Sequence, residues 1–456
     1  MKKCTLSRKY IICGCFVAVF AVVYGQNLET ANAYYAGRAY AKAIPIFEVA
    51  LAKKNNPGIR SKLANCYRIL NKPEKALPLY ADIAKDDKPA QKDLLHYAEV
   101  LMNVSRYEEA KVWLKKYNAG NPDDAPGKLL LDNCDKIKNI HPLFPNIVIT
   151  PFSKNDNCDD NAPVFYRNGI VYASDRDQPF KLLKEKNPQT GRDFFALYYS
   201  EPVNDNEFSE PRIFSSKLMD LNSNTSNASF TKSGERIYFC KNNEEAAKNG
   251  IYNMQIYTAE SENREHWKNI TRLDFCSSEF NYMYPAISPD GNLLFYVTDK
   301  GAGYGGLDIY MTRKTKKGWS HPENLGAKVN TSAHECFPFY SDDRKLYFSS
   351  KGHAGFGGYD IFYTTYDSVK EVWQTPVNLG APINSAYDDI SISFSNAGLN
   401  AGAFTSSRGG NGDDIYFFKL NSKSALPDNS VQPLKEMPKG FSIEADDKKK
   451  KDNHRR

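Results

Sequence analysis

The chain has 456 residues, of which 41% are hydrophobic and 25% are charged. This length is sufficient for two or three domains, each with its own core. The formal net charge of the whole chain is +6, and the positive charge is concentrated at its two ends. Four basic residues precede position 10, and residues 448–456 contribute a further +5, which leaves about −3 for the rest. The sequence therefore predicts no basic domain face, and nucleic acid is not an expected partner.

The first 25 residues have the three regions of an export signal. Basic residues at positions 2–9 are followed by an apolar run from Ile11 to Val23, and Tyr24 and Gly25 precede a cleavage point before Gln26. A transmembrane anchor is the alternative, but this run of 13 residues is too short to cross a bilayer of ~30 Å as a helix. We therefore predict a cleaved signal peptide over residues 1–25.

Six cysteines follow position 25. None of them stands in a CxxC pair or at zinc spacing from a histidine, so neither a metal nor another cofactor is predicted. An even number of cysteines in an oxidising compartment permits disulfides without requiring them. The six are Cys66, Cys134, Cys158, Cys240, Cys276 and Cys336.

Residues 27–140 carry a helical repeat. Ala43, Ala76 and Ala110 lie 33 and 34 residues apart, and a bulky residue follows each of them four positions later. Residues four apart share one face of a helix, and a small residue on that face lets the partner helix approach closely.

This period resembles the tetratricopeptide repeat (TPR) over residues 27–118, without that family's Trp, and a helix over residues 127–140 is expected to cap the array. The resemblance implies a concave surface that binds proteins. A spacer or a dimer contact is the alternative function.

From residue 145 to 420 the sequence changes to short, aromatic-rich strands separated by Gly, Asn, Asp and Pro. Three Asp-Ile-aromatic segments begin at Asp308, Asp360 and Asp414, 52 and 54 residues apart, and two more degenerate copies precede them. A second landmark keeps the same period. Its members are Phe208, Trp267, Trp319 and Trp373. Five units of four strands predict a five-bladed β-propeller.

The last unit offers only three strands. Residues 146–150 form a short apolar segment that belongs to no unit. We predict that this segment adds as the outer strand of the fifth blade, which closes the ring and removes an open sheet edge.

Residues 301–306 match GxGxxG, the spacing of a dinucleotide-binding loop. That fingerprint requires a helix to follow, whereas a strand follows here, and similar glycine loops recur at residues 352–358 and 408–412. The motif is therefore interpreted as part of the blade. The repeated Asp is expected to accept hydrogen bonds from backbone N–H groups of the glycine loop.

Blade topology brings four of the cysteines toward one face, because the first strand of a blade starts where the second strand ends. Cys240 ends a second strand, and Cys276 lies just before a first strand. These two form the candidate disulfide, and buried or free thiols are the alternative.

The segment Ser288-Pro289-Asp290-Gly291, followed by Gly-x-Gly-Gly-x-Asp-Ile-Tyr, resembles the PD40 (WD40-like) repeat of TolB-type proteins. Together with the signal peptide and the TPR-like helices, it is similar to periplasmic, outer-membrane-associated proteins of Bacteroidota, in particular the PorE-like proteins of type IX secretion. Those proteins continue into an OmpA-like domain. This chain instead has a basic tail over residues 421–456, predicted to be disordered, for which lipid contact, an acidic partner and solubility are open roles.

The expected architecture is α+β and multidomain, with an α-solenoid followed by an all-β propeller. The resemblance implies a non-catalytic adaptor at the periplasmic side of the outer membrane that binds other envelope proteins. No catalytic residue is assigned, and GxSxG is absent from the sequence. The alternative is a carbohydrate-binding or glycan-hydrolysing propeller, which for hydrolysis needs two carboxylates facing one pocket. The sequence does not determine the oligomeric state.

Overall fold

The computed structural model describes residues 27–144, 146–178, 186–204, 207–301, 303–395, 400–410 and 412–420. The predicted signal peptide and the basic tail lie outside these ranges. Helices occupy the first part, and strands occupy the chain from Ile147 onward. Within the described ranges, no helix combines the length and the apolar composition needed to cross a membrane.

In the described part of the chain, seven helices follow one another with short connections, and a 3-10 turn at Ile137–Asn139 ends the series. Neighbouring helices pack against each other along the series, so each contributes one face to a shared core. The helices are α1 (27–36), α2 (Tyr40–Lys53), α3 (Pro57–Ile69), α4 (Pro73–Ile83), α5 (Gln91–Asn103), α6 (Tyr107–Gly120) and α7 (Ala125–Lys136).

Two series of alanines allow this close packing. The predicted series lies in α2, α4 and α6, and the second series lies in α1, α3 and α5 with the same period. All six side chains are fully buried. They are Ala43, Ala76 and Ala110 in the first series, and Ala31, Ala64 and Ala98 in the second.

The turns that end α1, α3 and α5 share one backbone conformation. Arg38, Asn71 and Ser105 have φ of 59°, 49° and 60°, and the backbone N–H after each one bonds to a carbonyl five residues earlier. This is the Schellman arrangement, in which a left-handed residue terminates a helix. The three helix pairs therefore repeat in the backbone as well as in the core. The structure shows the hairpins; their membership of the TPR family stays a proposal.

Five antiparallel sheets form the propeller, and their innermost strands contact one another in a closed ring. Blade 1 contains β2 (Asp160–Tyr166), β3 (Gly169–Ser174), β4 (Ala196–Ser200) and β7 (Arg212–Ile213), with a hairpin of β5 (Pro202–Asn204) and β6 (Glu207–Phe208) beside it. Blade 2 contains β8 (Thr225–Phe230), β9 (Arg236–Asn242), β10 (Met254–Glu260) and β11 (Lys268–Arg272).

In blades 3 and 4 the outer strand is divided into two short pieces. Blade 3 contains β12 (Tyr282–Ile287), β13 (Leu293–Thr298), β14 (Asp308–Thr315), β15 (Gly318–Trp319) and β16 (Glu323–Asn324). Blade 4 contains β17 (Glu335–Tyr340), β18 (Lys345–Ser350), β19 (Asp360–Asp367), β20 (Val372–Trp373) and β21 (Val377–Asn378).

The fifth blade is closed by the first strand of the domain, as predicted. Its order is β1 (Ile147–Pro151), β24 (Asp414–Leu420), β23 (Ala401–Ser406) and β22 (Asp389–Phe394). The register of β1 on β24 runs from Ile147 opposite Leu420 to Pro151 opposite Tyr416. Both ends of the domain thus lie in one sheet.

The second sequence landmark joins each of blades 1 to 4 to the blade before it in the ring. Trp319 of blade 3 contacts Tyr238 of blade 2 with ring centroids 6.0 Å apart, and Trp373 of blade 4 contacts Phe295 of blade 3 at 5.9 Å. The other two members repeat the arrangement. Trp267 of blade 2 lies 6.4 Å from Tyr166 of blade 1, and Phe208 of blade 1 lies 4.9 Å from Phe417 of blade 5. Each landmark aromatic therefore packs at a boundary between blades.

Candidate functional site

The loops between the second and third strands of the blades lie on one face, which we call the glycine-loop face. In blade 3, the carboxylate of Asp308 accepts hydrogen bonds from the backbone N–H of Tyr304 at 2.6 Å and of Gly305 at 3.1 Å. In blade 4, Asp360 accepts from Phe356 at 2.8 Å. The hydrogen bonds expected for the repeated Asp are therefore present in both blades.

The glycines of these loops lie against the next blade. A Cβ atom at Gly305 would overlap the carbonyl of Ala333, and one at Gly357 would overlap the carbonyl of Ala386. Of the glycines in the GxGxxG segment itself, Gly306 lies against the His334 ring just before β17, and Gly303 lies against the carboxylate of Asp308. Contacts within the propeller therefore account for these two glycines without a nucleotide. The third predicted Asp, Asp414, begins β24 and lies next to Gly409.

Two buried asparagines that the sequence interpretation missed also hold this part of the blade. Asn330 accepts from the N–H of Ile309 at 2.8 Å and donates to its carbonyl at 3.0 Å. Asn384 makes the same pair of hydrogen bonds with Ile361, each at 2.8 Å. The available signal was an Asn-Leu-Gly segment six residues before each of them, repeated 54 residues apart.

The helical region contacts the glycine-loop face through the turns between paired helices. The backbone N–H of Ala41 donates to the carbonyl of Gln189 in blade 1 at 3.1 Å. Tyr107 donates to the carbonyl of Phe356 in blade 4 at 2.5 Å. We call this row of contacts the seam.

Two further contacts extend the seam. Tyr387 of blade 5 hydrogen-bonds to Glu74 of α4 at 3.5 Å. The amide of Asn133 in α7 donates to the carbonyls of Gly352 and His353 in blade 4 at 3.2 and 3.3 Å. The seam therefore follows an arc over blades 1, 5 and 4.

Charged groups gather where the middle of the seam meets blades 5 and 1. Arg192 pairs with Asp159 at 2.6 Å and with Asp175 at 3.5 Å, and the N–H of Asp413 donates to Asp159 at 3.0 Å. Burial and the neighbouring Asp159 raise the pKa of Asp175 to about 7. Burial also raises the pKa of Asp413 well above its usual range, and it lowers the pKa of Lys72 in the turn above. Among the described residues, no group of three or more His, Cys, Asp or Glu side chains could hold a metal ion.

The innermost strand of every blade contains a β-bulge around one non-glycine residue with positive φ. These residues are Ala162, Asn227, Tyr284, Phe337 and Ser391, with φ between 50° and 55°. A bulge turns a side chain away from its regular direction. The sequence interpretation missed them. Three of the five precede a proline, which was the available signal.

The bulge residues line a channel along the propeller axis. Its narrow part has a volume of about 50 Å³ and is lined by all five innermost strands. A wider cavity of about 190 Å³ shares Asn227, Tyr284 and Phe337 with the narrow part. No Asp or Glu is among the described residues that line either space.

All six described cysteines are buried, free thiols, so the structure does not contain the candidate disulfide. The Sγ atom of Cys240 instead accepts a hydrogen bond from the backbone N–H of Tyr284 at 3.2 Å. Cys276 is close enough that its charge adds to the effect of burial, which raises the pKa of Cys240. Oxidation of this pair stays a prediction, and an intact mass lower by about two daltons without reductant would show it.

No protein-family model matches the chain, and no curated protein matches its sequence. Solved structures similar in fold include two TolB proteins. One is a putative TolB from Agrobacterium tumefaciens, with 15% identity, a TM-score of 0.35, and coverage of 57% of this chain and 77% of that one. The other is TolB from Acinetobacter baumannii, with 14% identity, a TM-score of 0.32, and coverage of 64% and 68%. The β-xylosidase RS223 matches with 14% identity, a TM-score of 0.40, and coverage of 63% and 98%.

Proposed function

We propose that the protein is a non-catalytic adaptor of the bacterial periplasm that binds other envelope proteins. The observation that carries this proposal is a set of large apolar side chains exposed on the glycine-loop face over blades 2 and 3. Ile251 and Tyr252 are 44% and 56% exposed, and Tyr304 in the neighbouring blade is 52% exposed. Exposed apolar side chains grouped on one surface are typical of protein interaction sites.

The seam supports the same proposal. It fixes the helical region over blades 1, 5 and 4, so the helices stand beside the exposed loops of blades 2 and 3. A rigid scaffold that presents loops next to a helical array is suited to hold a partner along two surfaces. The TPR-like helices are the proposed second contact.

The alternative is a carbohydrate-binding or glycan-hydrolysing propeller. Hydrolysis by the usual mechanism needs two carboxylates that face the same sugar ring. The two axial spaces are lined by no carboxylate among the described residues, and this argues for a non-catalytic role. We assign no catalytic residue.

Site-specific photo-crosslinking in the intact native cell tests the adaptor function. A photoreactive phenylalanine analogue replaces Tyr252 or Tyr304, and the matched control replaces Asn400, which is exposed in the β22–β23 turn on the opposite face. We expect both loop positions, but not the control, to capture the same envelope protein. Capture of glycan alone, or no capture at either loop position, would contradict the proposal.

We further propose that the partner belongs to an envelope assembly such as the type IX secretion machinery. This part of the proposal rests on the sequence resemblance alone. Identification of the cross-linked protein by mass spectrometry tests it. A partner outside any secretion or envelope complex would exclude this role and leave the adaptor function in place.

A further inference from the structure

The wider cavity of the axial channel opens at the glycine-loop face and has the chemistry of a binding site. It has a volume of about 190 Å³, and no described charged residue lines it. Blades 1 to 4 all contribute to its wall, and no described helical residue does. The lining residues are Asn161, Phe195, Asn224, Ser226, Asn227, Met254, Met283, Tyr284 and Phe337.

The polar groups of this wall have unused hydrogen-bonding capacity. Among the described residues, the side chains of Asn161, Ser226 and Asn227 make no hydrogen bond. Asn224 accepts from the N–H of Phe195 at 3.0 Å, and its amide nitrogen has no described partner. Amides and hydroxyls each offer both donors and acceptors, so the cavity presents several convergent polar groups.

Two aromatic rings form the apolar part of the floor. Tyr284 and Phe337 have ring centroids 4.0 Å apart with planes inclined by 31°. Both belong to the bulges described above, with φ of 55° and 50°. Bulky residues rarely adopt positive φ, and such strained positions are concentrated at ligand sites.

The channel narrows below this floor. The space beyond Asn227, Tyr284 and Phe337 has a volume of only about 50 Å³. This is little more than the volume that one or two water molecules occupy in the liquid. A ligand that enters from the glycine-loop face therefore stops at the floor. The cavity suits a compact group of about one ring and excludes a chain that would pass through the propeller.

We propose that this cavity binds one neutral sugar ring, as the end of a glycan or as a free sugar. Sugar hydroxyls both donate and accept hydrogen bonds, and the asparagine amides and Ser226 match that property. The C–H face of a pyranose packs against aromatic rings such as Tyr284 and Phe337. An acidic or basic ligand would be desolvated there without a charged partner.

An apolar peptide side chain is the competing occupant. It would fill the same volume but would leave the asparagine amides without partners after water is displaced, which costs about 1–3 kcal/mol for each buried group. The unused amides therefore favour the sugar. None of the three exposed side chains of the adaptor surface lines the cavity, and the proposal does not depend on the adaptor function.

Calorimetric titration and saturation-transfer NMR with neutral monosaccharides test the site. The probes are the methyl glycosides of glucose, galactose, mannose, xylose and N-acetylglucosamine, added to the purified protein. Asn161→Leu keeps the size of the side chain and removes its amide, and Met254→Trp fills the cavity. Asn400→Leu, on the opposite face, is the matched control.

We expect at least one probe to bind the wild type and the Asn400→Leu control equally. Binding should weaken about tenfold in Asn161→Leu, which corresponds to one lost hydrogen bond. It should be undetectable in Met254→Trp, with circular dichroism unchanged in all variants. Failure of every probe to bind the wild type, or binding that survives Met254→Trp, would overturn the proposal.

Discussion

The innermost strands of blades 1, 4 and 5 each start with a buried acidic residue. The groups that bind its carboxyl group differ between these blades. In blades 1 and 5 the innermost strand starts with a buried Asp that pairs with an arginine. Asp160 contacts Arg176 at 2.8 Å, and Asp389 contacts Arg408 at 2.6 Å. Blade 4 has Glu335 at this position, and its described hydrogen-bond partners are backbone N–H and hydroxyl groups rather than a cation.

The buried Glu335 makes the stability of the protein dependent on pH. Burial raises the pKa of Glu335 to about 7, whereas an unfolded Glu titrates near ~4.3. The folded state therefore holds the proton more tightly. The free energy of unfolding is highest below the unfolded pKa and falls as the pH rises toward 7, by about 3 kcal/mol for this group.

Glu335→Gln is expected to remove this dependence. The amide resembles the protonated acid and can still bond to Thr331 and Ser350. Urea unfolding should give similar stability for the variant and the wild type at pH 4, and a more stable variant at pH 8 by about 3 kcal/mol. Glu279→Gln, at an exposed position, is the control. Parallel pH profiles for wild type and Glu335→Gln would contradict the prediction.

The repeated Asp gives a second prediction for single residues. Asp308→Ala leaves the N–H groups of Tyr304 and Gly305 without their acceptor, and we expect a loss of about 1–3 kcal/mol in the free energy of unfolding. Asp274→Ala, an exposed carboxylate in blade 2, should change it by less than about 0.5 kcal/mol. Equal effects of the two substitutions in denaturant titration would count against the structural role of Asp308.

The sequence predicted the hydrogen bonds of Asp308 and Asp360 because acceptor and donors lie within four residues of each other. It did not predict the bulges at Ala162, Tyr284 and the equivalent residues. A bulge is defined against the partner strand and the neighbouring blades, and neither is encoded in the local sequence.

At the scale of elements, the ring depends on β1. Ile147 and Ile149 are partly buried in the core of blades 4 and 5, whereas Val148 between them is 50% exposed. The alternation places one face of β1 on the sheet and the other in solvent. The five residues of β1 are therefore sufficient to close the ring.

Substitutions on the two faces of β1 should therefore differ. Ile147→Asp combined with Ile149→Asp places carboxylates against the apolar core, and we expect a loss of about 3 kcal/mol or more and a lower Tm. The released edge of β24 should also increase aggregation. Val148→Asp is the matched control and should leave both properties nearly unchanged. Thermal unfolding with light scattering measures both, and an unaffected double variant would refute the role of β1.

Most of the propeller could be predicted from the sequence because two landmarks, the Asp-Ile-aromatic segments and the aromatic series that includes Trp319, recur with one period. The outer strands were the exception. In blades 3 and 4 they are split into pairs such as β15 and β16, and blade 1 adds the β5–β6 hairpin. Outer strands pack on one neighbour only, so their sequences carry weaker constraints than those of the inner strands.

At the scale of the whole molecule, the seam could not be predicted from the sequence. Its hydrogen bonds join residues such as Tyr107 and Phe356, 249 positions apart, and Asn133 and Gly352, 219 positions apart. The helical repeat and the blade repeat could each be recognised from the period of the sequence. The packing of the helical region against the propeller depends on surfaces that exist only after both have folded.

We expect the seam to make the helical region and the propeller unfold together. Tyr107→Phe with Asn133→Leu removes the hydrogen bonds to blade 4, and calorimetry should then resolve two transitions in place of one. Tyr97→Phe, inside the helical core, is the control and should keep a single transition. Two transitions already present in the wild type would contradict this prediction.

The seam determines how far the helical region extends around the propeller. Successive turns of the helical region, spaced 33 and 34 residues apart, advance around the propeller from blade 1 through blade 5 to blade 4. One more helical hairpin would extend the arc to blade 3, beside the mouth of the axial cavity. The number of hairpins thus sets how many blades the helical region contacts. The three described hairpins reach blades 1, 5 and 4, and no described helical residue lines the axial cavity.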